Sequence, residues 1–249
     1  MVIIVIPARL ESTRLPGKVL LAETGKTMLR HVYERAIKVR NADKVMIAAE
    51  KDEILEASFK DLPFLNIGSI VEKPDCKSGT DRVALAVKCY CDDDIIINLQ
   101  ADEPEIDPLH IEKLINTALA DSDGKGLLHG PHIHTLGVNE PIAMKHYQKS
   151  VVKIAVGWGG IARYFSREVI PTDTDRVWRH VGVYAFRKAY LDRFTSLQRG
   201  ILEEQENIEH LRAIEDGAEI KIVQVDHAET GIDTRNEYEA FVKRYKEVE

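Results

Sequence analysis

Four nearly uninterrupted apolar runs constrain this chain more than any other feature: VIIVI (2–6), KVMIAA (44–49), IIINL (95–99) and VVKIAV (151–156). A strand with one wet face alternates apolar and polar residues. A strand covered on both faces does not, and in a parallel sheet the covering layers are helices. The intervening segments have the helical period. TMLRHVYERAIKVR (27–40) sets Met28, Leu29, Val32, Ala36 and Ile37 on one stripe. DEILEASF follows the second run, and SGTDRVALAVKCY precedes the third behind a Ser/Thr cap signal. DPLHIEKLINTALA follows the third, with Pro108 suited to a first helical turn. This alternation predicts an α/β fold with a doubly wound, mostly parallel, Rossmann-like sheet.

Beyond about residue 125 the pattern loosens. GKGLLHGPHIHTLG, VGWGGIARYF and RHVGVYAFR read as β-rich segments. LEEQENIEHLRAIEDG (202–217) reads as one helix, with Ile208, Leu211 and Ile214 apolar and Gly217 at its stop. IKIVQVD (220–226) reads as a strand and NEYEAFVKRYKEVE as a closing amphipathic helix. The expected organisation is one integrated unit: residues 1–124 and 218–249 form an α/β subdomain, and residues 125–217 a smaller mixed α/β subdomain.

Composition removes several classes. With 249 residues and a net charge of −7, the chain has no global basic field for nucleic acid. It has no apolar run of membrane-spanning length and no signal-peptide pattern, so membrane insertion is not expected. Cys76, Cys89 and Cys91 are odd in number and lack metal-ligand spacing, which suits reduced cysteines in a cytoplasmic protein.

Against that acidic background, PARLESTRLPGK (7–18) is an exception. A buried strand runs directly into Arg9, Arg14 and Lys18, with Pro16 and Gly17 between them. Ligands of open α/β sheets sit beyond the carboxyl ends of the strands. A loop there with cations and a glycine suits a polyphosphate, although three cations are also ordinary on a surface loop. No GxGxxG follows the first strand and no GxxxxGK[ST] occurs, so the dinucleotide and P-loop fingerprints are both missing. IIINLQADEP (95–104) delivers Gln100, Asp102 and Glu103 to the same edge, an arrangement suited to Mg²⁺ held by carboxylates and substrate phosphates. TGID (230–233) brings Asp233 just ahead of the last helix, where a helix cap is the competing assignment.

IPARLESTRLPGK, KSGTDR (77–82), NLQADEP, YFSR (164–167), RHVGVYAFR (179–187), ENIEHLR and TGIDT together resemble the CMP-Kdo synthetases, the 3-deoxy-manno-octulosonate cytidylyltransferases of lipopolysaccharide biosynthesis. The motifs stand in the family's order from residue 2 to about residue 240. The resemblance implies a nucleotidyltransferase fold in which CTP and an acidic eight-carbon 3-deoxy sugar give a CMP-sugar and pyrophosphate. It implies that Arg9 and Lys18 meet the CTP phosphates with Ser12 and Arg14 close by, and that Pro7 and Ala8 line the cytosine. Ser78, Gly79, Arg82 and Gln100 match nucleotide-side positions, though Ser78 also suits a helix cap and Arg82 a surface charge. Asp102 and Asp233 are implied as Mg²⁺ ligands and, with Arg9 and Lys18, as the catalytic set.

Gln100, Arg167, His180, Tyr184, Glu206, Glu209 and His210 match positions around the sugar. Outside the family pattern His180 and Tyr184 suit a core strand, and the glutamates a solvated helix face. The implied assembly is a homodimer formed through residues 125–217. Three departures concern the sugar more than the reaction: Ala101 for the family's glycine, Arg163 for a leucine, and His210 for a glutamine. A cytidylyltransferase for 8-amino-Kdo or a nine-carbon sialic-type sugar therefore stands as an alternative, and a non-catalytic CTP-binding relative as the rival from another class.

Overall fold

The computed structural model describes residues 1–12, 14–60, 68–70, 76, 78–122 and 131–248. Its strands are β1 (Val2–Ala8), β2 (Lys44–Ala49), β3 (Gly68–Ile70), β4 (Ile95–Leu99), β5 (Ile133–Pro141), β6 (Lys153–Val156), β7 (Ala162–Ser166), β8 (Arg176–Arg187) and β9 (Ile220–Val225). The helices are α1 (Met28–Ala36), α2 (Asp52–Phe59), α3 (Gly79–Ala86), α4 (Pro108–Ser122), α5 (Lys188–Ser196), α6 (Ile201–Glu206), α7 (Leu211–Glu215) and α8 (Arg235–Val248). Among the described residues the strands form one sheet in the order β3-β2-β1-β4-β8-β5-β9, with β6 and β7 branching from β8.

The β3-β2-β1-β4 and β5-β9 pairings are parallel, and β8 runs antiparallel between β4 and β5. The sheet is thus mostly parallel, and its continuous apolar runs are covered on both sides. Val2, Ile4 and Ile6 of β1 pack with α1 and α4, while Ile3 and Val5 pack with α3 and α5. Truncating one of these fully buried isoleucines to alanine costs about 2–5 kcal/mol. The caps follow the local sequence. Thr27 Oγ1 accepts Arg30 N at 3.2 Å, and Ser78 and Asp81 form a reciprocal capping box.

Two expectations fail. VVKIAV does not join the parallel strands: its β6 portion lies in an antiparallel hairpin with β7 and also pairs antiparallel with β8. An apolar run records burial, not the direction of the partner. Residues 202–217 are not one helix. Asn207 adopts a left-handed conformation at φ 53°, ending α6, and a new helix starts after His210. The stripe of Ile208, Leu211 and Ile214 persists across that break because its spacing is short-range. Lys77, the GKGLLHG portion of a β-rich segment and the expected boundary at 124/125 lie outside the described residues. Cys89 and Cys91 are exposed thiols outside any disulfide.

Because β8 is antiparallel, its first half shares an edge with the carboxyl ends of β1, β4, β5 and β9. Gln100 N donates to Gly182 O at 3.2 Å there. Under this edge α8 closes a small core of Leu15, Met28, Ile232, Tyr238 and Phe241, which anchors the segments on either side.

Candidate active site

The chain leaves β1 at Ala8 as an exposed loop and folds back when Gly17 N donates to Leu10 O at 3.0 Å. Gly17 sits at φ 66°, where a side chain would be strained. The turn points Lys18 inward. Its Nζ donates to Asp102 Oδ2 at 2.7 Å, Asp233 Oδ1 at 3.0 Å and Ile232 O at 3.2 Å, and Arg14 pairs with Asp233 Oδ2 at 2.7 Å.

Two acidic segments 131 residues apart in sequence (233 − 102) meet because Ile232 N donates to Asp102 O at 2.8 Å. Asp233 is not a helix cap. Glu237 Oε2 accepts the amides of Asp233 and Thr234, both at 2.8 Å, and Thr234 Oγ1 accepts Glu237 N, so the Asp233 carboxylate is left for the cations. Burial opposes the charge on Lys18, but Asp102 and Asp233 overcome it and raise its pKa.

This cluster forms one wall of a cavity of about 290 Å³. Pro7, Ala8, Arg9, Ser12 and Arg14 line it from the loop, Gly79 and Arg82 from α3, and Gln100, Ala101 and Asp102 from the β4 exit. Gly79 permits the close approach of α3, since a Cβ there would stand 3.3 Å from Pro7 Cγ. Ser78 is not on the lining, as its hydroxyl and amide serve the α3 capping box. Arg82 is buried rather than a surface charge.

A second cavity, of about 200 Å³, shares Gly79 and Gln100 with the first. Arg167, His180, Tyr184, Glu209 and His210 line it, together with Thr80 and Phe165. A smaller hollow between the two is bounded by Arg14, Asp102 and Asp233 on one side and Arg167 and His180 on the other. His180 is half-buried, and desolvation of its ring first, then Arg179 and Arg167, pull its pKa down to about 3. Its Nε2 lies 3.0 Å from Thr135 Oγ1, whose hydroxyl donates to Val183 O at 2.8 Å. That network assigns the proton to Nε2 and makes Nδ1 an acceptor.

His210 stacks on Tyr184 with ring centroids 3.6 Å apart and planes 9° apart, and its Nε2 has no partner. Burial, His180 and Arg212 hold its pKa well below the usual histidine value, so the ring is neutral. Arg167 donates to the carbonyls of Glu206, Lys149 and Asn207 at 2.9–3.1 Å while lining the cavity.

Glu206 is not brought to the cavity wall. Its carboxylate accepts Ser166 Oγ at 3.0 Å and Arg167 N at 2.8 Å beneath the site. The kink at Asn207 separates it from Glu209 and gives the two glutamates different surroundings.

Thr80, Asn98 and Arg179 were missed in the sequence, as were the bonds that tie Gln100, Glu103 and Glu209 to their neighbours. Gln100 Nε2 donates to Asn98 Oδ1 at 2.8 Å, Asn98 Nδ2 to Thr80 Oγ1 at 3.1 Å, and Thr80 Oγ1 to Glu209 Oε2 at 2.7 Å. This chain of hydrogen bonds runs from the first cavity to the second. Its one readable signal was Asn98, a polar residue inside the buried run IIINL. Glu103 is buried, accepts Gly182 N at 2.9 Å, and is pushed up to about 8 by desolvation and then by Asp102. Arg179 is buried too. It donates to Glu140 Oε1 at 2.6 Å and to Ala228 O at 2.6 Å, which holds the approach to Asp233. No local pattern distinguishes it from any other strand arginine.

The family model described as cytidylyltransferase matches residues 3–222. A 3-deoxy-manno-octulosonate cytidylyltransferase of Geotalea daltonii is 34% identical, with 98% of this chain and 97% of the relative covered. An 8-amino-3,8-dideoxy-manno-octulosonate cytidylyltransferase of Shewanella frigidimarina is 37% identical, with 89% of each covered. The solved structure of a CMP:2-keto-3-deoxy-manno-octonic acid synthetase complexed with CTP superposes with a TM-score of 0.87 at 32% identity, covering 100% of this chain and 99% of that one. On the family model and the near full-length relatives, the chain belongs to the cytidylyltransferase family, in the group that includes the 3-deoxy-manno-octulosonate and 8-amino-3,8-dideoxy-manno-octulosonate enzymes.

Proposed function

We propose that the chain joins CTP to the acidic eight-carbon sugar Kdo, with CTP in the first cavity and the sugar in the second. The observation that carries this reading is the meeting of Lys18, Arg14, Asp102 and Asp233 between two adjoining cavities, one flanked by cations and one by hydroxyl- and carboxylate-binding groups. The anomeric oxygen of the sugar forms a bond to the α-phosphorus, the bond from that phosphorus to the pyrophosphate oxygen breaks, and the hydroxyl proton is lost to solvent. Arg9, Arg14 and Lys18 hold and neutralise the phosphates, Gln100 stands at the boundary of both ligands, and Arg167 suits the sugar carboxylate. His180 Nδ1 offers an acceptor to a sugar hydroxyl.

Mg²⁺ belongs to this reading, held by Asp102 and Asp233. The two carboxylates already converge on one ammonium group, which marks the place as built for a cation. One or two carboxylates plus substrate phosphates form a common Mg²⁺ site, and the ion supplies charge neutralisation and alignment of the phosphates. Among the described residues no helix is long and apolar enough to cross a membrane. A cytoplasmic location and a homodimer complete the proposal. The second draws support from Met144, Tyr147 and Trp158, large apolar residues exposed within residues 125–217.

A second sugar is favoured by one observation. Glu209 faces the second cavity, where burial raises its pKa against the hydrogen bonds of Ser78 and Thr80, and an ammonium group on the sugar would hold its carboxylate charged. Competition between Kdo, 8-amino-Kdo and sialic acid for CTP decides among them: the proposal expects the highest kcat/KM with Kdo, and a preference for either other sugar overturns that choice.

A further inference from the structure

Asp107, His110 and His227 meet outside the groups assigned above. Asp107 stands just ahead of α4, His110 in the first turn of that helix, and His227 two residues past the end of β9. One ligand atom from each lies within 4.8 Å of the other two. The imidazole rings meet edge to face, with centroids 5.1 Å apart at 71°. His110 Nδ1 is shut off from solvent and has no hydrogen-bond partner. A buried ring nitrogen left unpaired is costly, so its lone pair or proton calls for a partner. Burial also lowers the pKa of His110, which keeps the ring neutral and able to act as a ligand near neutral pH.

We propose that Asp107, His110 and His227 form a Zn²⁺ site that clasps the exit of β9 to the start of α4. Two imidazoles and one carboxylate suit Zn²⁺, whereas Mg²⁺ prefers oxygen ligands throughout. Ligands about 2.0–2.2 Å from a tetrahedral ion stand roughly 3.3–3.6 Å from one another. The present spacing therefore needs a modest contraction, which the exposed His227 side chain supplies by rotation. Three protein ligands leave a fourth position for water. The clasped segments lead on to Asp233 and back to Asp102, so the ion steadies the framework of the aspartate pair from outside the cavity.

The test uses the full chain stripped of metal, with excess Mg²⁺ present to fill oxygen-only sites. Zn²⁺ affinity is read by competition with a chromophoric chelator, and Co²⁺ serves as a visible probe. The expected result is one Zn²⁺ per chain, with a Kd raised at least about tenfold in both His227→Ala and Asp107→Asn. Co²⁺ bands should appear in the native chain and fade in both variants. Zn²⁺ should raise the Tm of the native chain and leave that of His227→Ala unchanged. His227 is exposed, so this variant folds normally. Equal Zn²⁺ affinity in the native chain and His227→Ala, or no binding at micromolar Zn²⁺, overturns the proposal.

Discussion

Lys18→Ala removes the ammonium that Asp102 and Asp233 share. The Lys18 side chain is 14% exposed and makes two charge-assisted contacts, at 2.7 and 3.0 Å. Each such contact contributes about 1.5–3 kcal/mol net, so the pair contributes on the order of 3–6 kcal/mol. Releasing the ammonium from a largely buried position returns several kcal/mol of desolvation cost. The two carboxylates then face each other with only the half-exposed Arg14 between them and water. The balance is a stability loss of about 1–3 kcal/mol, read as a shift in urea midpoint at constant m-value.

The pKa of Lys18 is raised in the fold, so its contribution is fully present below the ordinary lysine value and fades only as pH rises through the higher folded value. At pH 7 the whole effect is therefore expressed. If the same ammonium serves the triphosphate, kcat/KM for CTP falls by roughly one to two decades, the rate equivalent of about 1.5–3 kcal/mol. Arg9→Ala should lose CTP efficiency on a similar scale without a stability change, since Arg9 is exposed. Unchanged CTP kinetics in both variants refutes the phosphate assignment, and an unchanged urea midpoint in Lys18→Ala refutes the energetic account of the cluster.

Three further outcomes follow from the site. Asp102→Asn and Asp233→Asn should each lose most activity, unrescued by saturating sugar, while the native enzyme should stop with chelator and recover with Mg²⁺; full turnover in excess chelator contradicts the metal reading. His210→Gln should leave the CTP KM within about threefold and shift the preference between Kdo and its analogues by roughly 1–3 kcal/mol, because His210 backs Tyr184 in the second cavity; an unchanged ratio of kcat/KM between sugars assigns His210 to packing alone. His180 and His210 are held neutral in the fold but protonate in the unfolded chain below about pH 6.5, so stability should fall on acidification by up to about 1.4 kcal/mol per pH unit for each. Denaturant midpoints that stay flat between pH 6.5 and 4.5 contradict that burial.

Much of the sheet was legible because burial on both faces writes itself into sequence: the residues of VIIVI alternate between two cores, so neither parity is free to be polar. The loop at 7–18 was legible as a candidate because its three cations stand out on an acidic chain, but such cations are ordinary on a surface loop, and only the ordered set of motifs made it a site. What was not legible depends on distant partners. VVKIAV did not reveal its antiparallel hairpin, and the apolar stripe at 202–217 concealed the left-handed Asn207 that divides it. Glu206 and Glu209 looked alike on one helix face, yet one supports Arg167 from below and the other faces the cavity. Asp233 on its own read more readily as a cap, a role that Glu237 and Thr234 fill instead. The route Gln100–Asn98–Thr80–Glu209 joins three separate motifs, and only the folded edge brings them into line.

The central claim is that one sheet edge joins CTP to an acidic sugar through the Lys18, Asp102 and Asp233 cluster. Phosphorus NMR of the native enzyme with CTP, Kdo and Mg²⁺ tests it most directly. The account predicts that pyrophosphate and a CMP-sugar phosphodiester appear together in equal amounts, that neither forms when CTP or sugar is omitted, and that Asp102→Asn forms neither at a comparable rate. Pyrophosphate released without sugar, or no phosphodiester from any of the three acid sugars, would contradict it.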